Sequence, residues 1–373
     1  RTLTTDDIER VEIVRGIPSA EYGNLTSGMV NIKRVRKAIP LTVRFKADEY
    51  SKLFSVGKGF TVPNHDFTLN VDGGFLDSKV DPRNNLENYK RVNFSVRISK
   101  LWKRDKWEMT WTPSADYTGS FDNVKTDPDL SYQKIDKYKS SYNRASLTNN
   151  FKWTFPRLKW IKTVNLDASV SAQSDQLKRT KLISPQRATV APTGKEPGVH
   201  DGTYLFSEYV ADYLCDGKPV KAKGEFGWEG AKYRLNAKAG GEWNYSRNFG
   251  KGQVYDLSHP ISTSWGARPR AYSDIPALQN LSFFLEGNTL FLLGKNKLEL
   301  QVGARSVTQI GMSERYLLQG KPYIDPRANA QWSFPAIPVA GKDLHISISG
   351  GYGVTTKMPT LDYLYPDLWY NDI

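Results

Sequence analysis

The chain is poor in the residues that build covalent and metal frameworks. It carries one cysteine, Cys215, and four histidines, His65, His200, His259 and His345, in 373 residues. A single thiol cannot close an internal disulfide, and the scattered histidines give no zinc spacing, so both kinds of staple drop out. Long apolar runs are missing too: none approaches the roughly 20 residues of a membrane-spanning helix. Arg1 is neither an initiator methionine nor part of a signal peptide, so an exported protein with this sequence is expected to be a fragment. Catalytic constellations are equally scarce. Asp167 and Glu299 stand in strand-like stretches without a histidine or carboxylate at a telling spacing, and polar wall residues account for them. The loop acids Asp122, Asp127 and Asp129 lack the spacing of an EF-hand, and the sequon Asn24-Leu25-Thr26 is read as chance. No enzymatic activity, metal or cofactor is expected.

What the chain has in quantity is rings and alternation. Aromatic residues make up 12% of it, yet the mean hydropathy is -0.54. A membrane β-barrel has that profile, because every second residue meets lipid while the others face water, and the aromatics gather in girdles. A sugar-binding β-sandwich shares it. The net charge of +13 raises the question of nucleic acid. The basic residues do not cluster, however. They recur at short turns such as Lys103-Arg104-Asp105-Lys106 and Lys295-Asn296-Lys297, or alternate in strands as Arg44 and Lys46 do. Lumen positions, turns and anionic lipid headgroups explain them, and no nucleic-acid partner is expected.

Period-two patterning starts after a basic connector, Lys33 to Lys37, and does not stop. Leu41, Val43 and Phe45 alternate with Thr42, Arg44 and Lys46. The same design recurs in Val92-Phe94-Val96-Ile98, in Leu147 to Phe155, in Val164-Leu166-Ala168-Val170-Ala172, in Leu298-Leu300-Val302-Ala304 and in Leu344-Ile346-Ile348. Such strands have one apolar and one polar face, and about thirteen are expected. The connections alternate as well. Val62 to Asp66, Lys103 to Lys106, Pro156 to Ile161, Glu229 to Lys232, Gly294 to Lys297 and Pro335 to Asp343 are short, whereas Asp77 to Arg91, Gly119 to Ser140, Ser174 to Val220, Ser246 to Asn280 and Gly311 to Asp325 are long. Outer-membrane barrels pair short periplasmic turns with long outer loops. Aromatics stand beside the short turns, as Trp102 with Trp107, Trp153 with Phe155 and Trp160, and Trp332 with Phe334 do, where an interfacial girdle belongs.

The opening stretch, Asp6 to Ile32, reads as two short strands joined by glycine-marked turns, Val11 and Ile13 forming the half-buried face of the first, after a helical turn. Its residues IERVEIVRG, then SAEYG, then SGMVNI closely resemble the "IERVEVLRG…SALYG…GGVINI" segment that ends the plug domain of TonB-dependent outer-membrane receptors. The one departure is Ser27-Gly28-Met29, where the family often has two glycines. Near the other end, Pro359-Thr360-Leu361 and Leu364-Tyr365 follow a glycine- and tyrosine-containing stretch, similar to the family's "F-R-x-P-[ST]-L-x-E-L-Y", with Thr356-Lys357-Met358 departing from it. The wording of the plug signature is most like receptors of the Bacteroidetes.

The resemblance implies an all-β protein: an antiparallel transmembrane β-barrel, part of about 22 strands, preceded by the end of a small α+β plug. Residues 1–37 would be the plug end and connector, and residues 38–373 the first part of the barrel. It further implies plug-gated active transport across the Gram-negative outer membrane, energised by TonB through a TonB box outside this sequence. The implied partners are TonB, outer-membrane lipid, an unidentified extracellular ligand and, for some family members, a surface lipoprotein. Arg10, Glu12 and Arg15 would pair the plug with the inner barrel wall, and Gly16, Gly23 and Gly28 would serve its turns. Ligand contacts would come from the long loops, whose rings include Tyr204, Phe206, Tyr209, Tyr213, Tyr255, Trp265 and Tyr272; Tyr204, Tyr209, Tyr255, Trp265 and Tyr272 are the candidates. Two other readings share the strands. A passive binding or adhesion barrel would need no energised plug, and a secreted carbohydrate-binding β-sandwich would be soluble without detergent.

Overall fold

A computed structural model describes residues 8–14, 17–23, 29–79, 81, 83, 86–126, 129, 135–158, 160–185, 189–192, 202–205, 207–232, 234–262, 267–339 and 342–367. The chain opens with a hairpin, β1 (Ile8–Val14) against β2 (Met29–Arg34), paired antiparallel from Ile8 with Arg34 to Val14 with Met29. No helix precedes or interrupts it among the described residues. Val11 and Ile13, which alternation marks as half-buried, are 48% and 61% exposed: no described element packs on that face.

The rest is one antiparallel sheet built in chain order. Its first half comprises β3 (Thr42–Ala47), β4 (Ser51–Val62), β5 (Phe67–Ser78), β6 (Glu87–Lys103), β7 (Glu108–Trp111), β8 (Ser114–Val124), β9 (Asp136–Thr154) and β10 (Thr163–Ile183). A small outer hairpin, β11 (Thr189–Pro192) with β12 (Gly202–Leu205), stands apart from the sheet. The second half comprises β13 (Tyr209–Gly217), β14 (Pro219–Lys232), β15 (Leu235–Asn248), β16 (Gly252–Tyr255), β17 (Leu278–Leu293), β18 (Asn296–Ile310) and β19 (Pro322–Ser333). A turn hairpin, β20 (Ile337–Val339) with β21 (Lys342–Leu344), then leads to β22 (Ser347–Gly353) and to the short helix α1 (Leu361–Leu364).

Hydrogen bonding runs from β3 to β22 along a path of thirteen strands. β7 and β8 are halves of one strand, since both pair with β6 and β9. Pro113 separates them because it has no N–H to give. Its carbonyl still accepts from Ile98 N at 3.0 Å, so the ladder is scarcely interrupted. β13 and β14 likewise share β10 as a partner, broken at Lys218.

The expected long connections are shorter than their composition suggests. β10 continues to Ile183 and β13 begins at Tyr209, so much of Ser174 to Val220 is strand. β9 begins at Asp136 and β8 ends at Val124, which shortens the Gly119 to Ser140 connection in the same way. Apolar alternation stops where one face no longer meets an apolar phase, while the backbone ladder goes on pairing.

Among the described residues the sheet buries few apolar side chains, Phe284 and Val307 among them. One face carries Phe45, Phe54, Phe94, Leu147, Phe283, Leu285, Val302, Ile324 and Ile348, between 48% and 71% exposed. The other face buries Asn70, Ser95, Arg97, Ser282, Glu286, Arg305, Gln309, Asp325 and Arg327, each under 8% exposed. Polar residues are buried there because the opening segment, the connector and residues 354–367 lie on that face, here termed inner. Such an inverted distribution is stable only where the outer face meets an apolar phase.

Candidate functional site

The site forms where residues 17–23 rest on the inner face of β15 to β22. Pro18 fixes the backbone entering a tight turn, closed by Tyr22 N donating to Ser19 O at 3.0 Å. The turn points its carbonyls at the sheet, and β19 meets them. Arg327 Nη1 donates to Pro18 O at 3.3 Å, to Ser19 O at 2.7 Å and to Tyr22 O at 2.7 Å. Two residues on along the same face, Asn329 Nδ2 donates to Ile17 O at 3.2 Å. From β18, Arg305 Nη1 donates to Glu21 O at 2.8 Å while its Nη2 pairs with Glu242 of β15 at 3.0 Å. The turn's own donor is used too: Ala20 N, on a fully buried residue, donates to Glu286 Oε2 of β17 at 2.7 Å. Lys238 approaches Glu21 at 3.7 Å. A buried arginine needs pairing to offset its desolvation, and here backbone carbonyls serve as much as carboxylates do.

Size sets the fit as firmly as charge. A Cβ at Gly303 of β18 would come within 3.1 Å of the Ala20 methyl, and one at Gly351 of β22 within 2.9 Å of Ile17 Cδ1. Wall glycines thus let the turn settle against the strands. Further along, the connector docks by the same logic. Asn70 of β5 accepts from Ile39 N and donates to Lys37 O, both at 3.0 Å, and Arg34 pairs with Asp116 of β8 at 3.1 Å.

The residues singled out in the sequence are distributed unevenly over this seat. Gly23 is in it, for a reason other than turn geometry: its added Cβ would lie 2.5 Å from Arg305 Nε. Arg10 and Glu12 are not. They pair with each other at 2.5 Å, and Glu12 also pairs with Lys33 at 3.0 Å and accepts from Asn31 at 3.0 Å. These bonds stay inside the hairpin, and the one to Lys33 holds the Glu12 carboxyl below its ordinary range. Arg15, Gly16 and Gly28 lie outside the described residues. The wall contacts come instead from Arg34, Glu21 and the turn backbone. Backbone partners leave no trace in residue type, so only the inward arginines of β18 and β19 could have signalled them.

Burial raises the Glu21 carboxyl above its usual range despite Lys238, and pushes the Tyr22 hydroxyl up to about 12. Beneath the turn a cavity of about 800 Å³ opens on the inner face. An in-register row of amides, Asn236, Asn288, Gln301 and Asn329, crosses it from β15 to β19.

At the other end of the sheet a strap, residues 354–367, folds back over the strand ends. Asp325 of β19, 1% exposed, accepts from Thr356 N at 3.0 Å and from its hydroxyl at 2.6 Å. Gln309 donates to Pro359 O, and Arg270 to Tyr365 O and Pro366 O. The candidate ligand rings around this region are engaged in local order. Tyr209 OH donates to Pro260 O at 2.7 Å and its ring lies edge-on to His259. Tyr255 OH donates to Ala267 O, and Tyr272 OH lies 3.6 Å from Cys215 Sγ. Tyr204 is 61% exposed; Phe206 and Trp265 lie outside the described residues. In the same loop Asp256 is held down to about 2 by Ser258 and His259.

The arrangement holds a polypeptide segment against a polar wall by contacts that water can replace. No protein-family model matches the chain, and no curated protein matches its sequence. Several solved structures are similar, two of them as follows. BauA, the ferric preacinetobactin receptor from Acinetobacter baumannii, has a TM-score of 0.46 at 13% identity over 89% of this chain and 53% of that one. BamA from Haemophilus ducreyi lacking POTRA domains 1–3 has a TM-score of 0.23 at 11% identity over 93% of this chain and 76% of that one. The chain therefore spans about half the length of the receptor it is similar to.

Proposed function

We propose that the chain is the trailing part of a plug and the first part of the barrel of a TonB-dependent transporter in the Gram-negative outer membrane. The observation that carries this reading is the seat. Residues 17–23 lie on the buried polar face of a sheet whose opposite face is apolar and exposed. A sheet of that kind suits lipid on its outside and water or a plug on its inside. A seat made of polar contacts suits a gate, because each bond lost on opening is replaced by one to water. In this reading ligand binds from outside, TonB pulls the preceding plug sequence, the turn leaves Arg305 and Arg327, and ligand passes the inner wall. No bond is made or broken in the ligand, so the protein is not an enzyme. The plug signature favours a receptor of the Bacteroidetes type, in which a surface lipoprotein is a further partner.

The test is uptake by the full-length protein in cells with and without the energising partner. Uptake should vanish without TonB; transport indifferent to its loss would exclude the reading and leave a passive barrel.

A further inference from the structure

We infer that the cavity beneath the turn binds a short peptide with free termini: Arg234 takes its carboxylate, Glu299 its ammonium group, and the amide row its peptide groups. Arg234 and Glu299 are the two charged residues that line the cavity. Neither forms an ion pair or a side-chain hydrogen bond among the described residues. The charges nearer the turn are committed, Lys238 to Glu21 and Glu286 to Ala20 N. Lys297, two residues from Glu299 along β18, does not line the cavity and forms no ion pair with it.

Register sets the spacing of the two charges. Arg234 directly precedes Leu235, which is opposite Thr289, and Glu299 is opposite Leu290 on the other side of β17. Two strand spacings therefore separate their backbones, about 10 Å. Three residues of extended peptide cover the same length, about 10 Å. Asn236 and Gln301 stand two residues on from Arg234 and Glu299, on the same face of their strands.

The amides are arranged to read peptide groups. Asn329 Nδ2 donates to Ile17 O and to Gln301 Oε1 at 3.0 Å, and Asn288 Nδ2 donates to Glu286 Oε1 at 3.2 Å. Gln301 Nε2 and Asn288 Oδ1 are left without a partner among the described residues, and so is the whole Asn236 amide. The row thus offers both donors and acceptors to the cavity. This wall already uses asparagine for that purpose: Asn70 grips Ile39 N and Lys37 O together, and Asn329 holds Ile17 O.

Other solutes use only part of this set. A simple anion would engage Arg234 alone, and a cation Glu299 alone. A saccharide would engage the amides but neither charge, and no aromatic ring lines the cavity to stack on it. The volume of about 800 Å³ is within the range of ligand sites. Arg234 and Glu299 are both exposed, so each contact is weak, as a station on a route of passage requires. That role in passage rests on the transporter reading; the binding itself does not.

The experiment is titration of the full-length protein, in non-ionic detergent and without TonB, followed by ligand-observed magnetic resonance. The probes are trialanine, N-acetyl-trialanine, trialanine amide, the doubly blocked peptide and maltotriose. Trialanine should bind saturably and more tightly than any blocked form. Glu299→Gln should weaken trialanine about fivefold and leave N-acetyl-trialanine unchanged; Arg234→Gln should weaken it about fivefold and leave the amide unchanged. Asn288→Leu should weaken every peptide. The blocked peptides test the natural protein, so the answer does not depend on a variant folding. Equal binding of free and doubly blocked peptide, tighter binding of maltotriose, or no saturable binding of trialanine would overturn the inference. Uptake that proved independent of TonB would count against the transporter reading and leave this result standing.

Discussion

A methyl group at Gly23 would fall 2.5 Å from Arg305 Nε, and that arginine is 2% exposed with its other nitrogens committed to Glu21 O and Glu242. It has little room to yield. Gly23→Ala should therefore weaken the seat by about 1–3 kcal/mol, read as faster amide hydrogen exchange in residues 17–23. Arg327 does more, since three carbonyls of the turn depend on one nitrogen. Arg327→Ala should cost about 3 kcal/mol, as expected for charge-assisted hydrogen bonds, and should admit a large polar antibiotic to cells making the full-length protein. Unchanged exchange and unchanged sensitivity would show that Arg327 does not hold the turn. Glu21 gives the seat a pH dependence. Its carboxyl is raised by burial, Lys238 notwithstanding, so docking is favoured by the protonated form. That contribution is complete below the ordinary glutamate range and is lost as pH rises through the raised value. Exchange in residues 17–23 should accordingly quicken with pH, beyond the intrinsic trend, in the natural chain and not in Glu21→Gln.

At the scale of elements, β19 joins the two ends of the site. Its inward residues Asp325, Arg327 and Asn329 alternate along one strand: the first holds Thr356 of the strap, and the other two hold the turn. Asp325→Asn keeps the shape and removes the charge, so the strap should loosen by about 1–2 kcal/mol. Proteolysis or exchange within residues 354–364 would measure it, and Thr356→Val should reproduce most of the effect. If both variants left the strap protected, Gln309 and Arg270 would be its anchors. The long strands teach a related point. Sequence patterning marks β9 and β10 only where Leu147 to Phe155 and Val164 to Ala172 alternate, but their ladder extends to Asp136 and Lys181. Above the apolar band both faces are polar, so periodicity loses contrast while hydrogen bonding does not.

For the whole molecule, the inverted faces predict an asymmetry that a soluble β-sandwich would not show. Val302 is 62% exposed on the outer face of β18, opposite Gly287 and Ala328 of its neighbours. Arginine there would be harmless on a water-exposed surface. In a lipid-facing band it should cost about 2–4 kcal/mol, decreasing toward the rims, measured as a lowered unfolding midpoint in phosphatidylcholine vesicles. A midpoint unchanged by Val302→Arg would argue for water on that face.

Alternation by itself determined that this chain forms antiparallel strands with one apolar and one polar face, because side chains of a strand point to opposite sides by backbone geometry alone. The short and long connections gave the order of the hairpins, and the opening signature located the segment that would be seated. Only the tertiary structure decided how it is seated. Arg10 and Glu12 read as wall contacts but pair with each other, and Glu12 also with Lys33 and Asn31 of their own hairpin, since a charge pairs with what is near. The wall is held instead by carbonyls of Pro18, Ser19, Glu21 and Tyr22 meeting arginines roughly three hundred positions away. Backbone groups are the same in every residue, so which of them are presented depends on the turn and the register of distant strands, and neither is written in residue type.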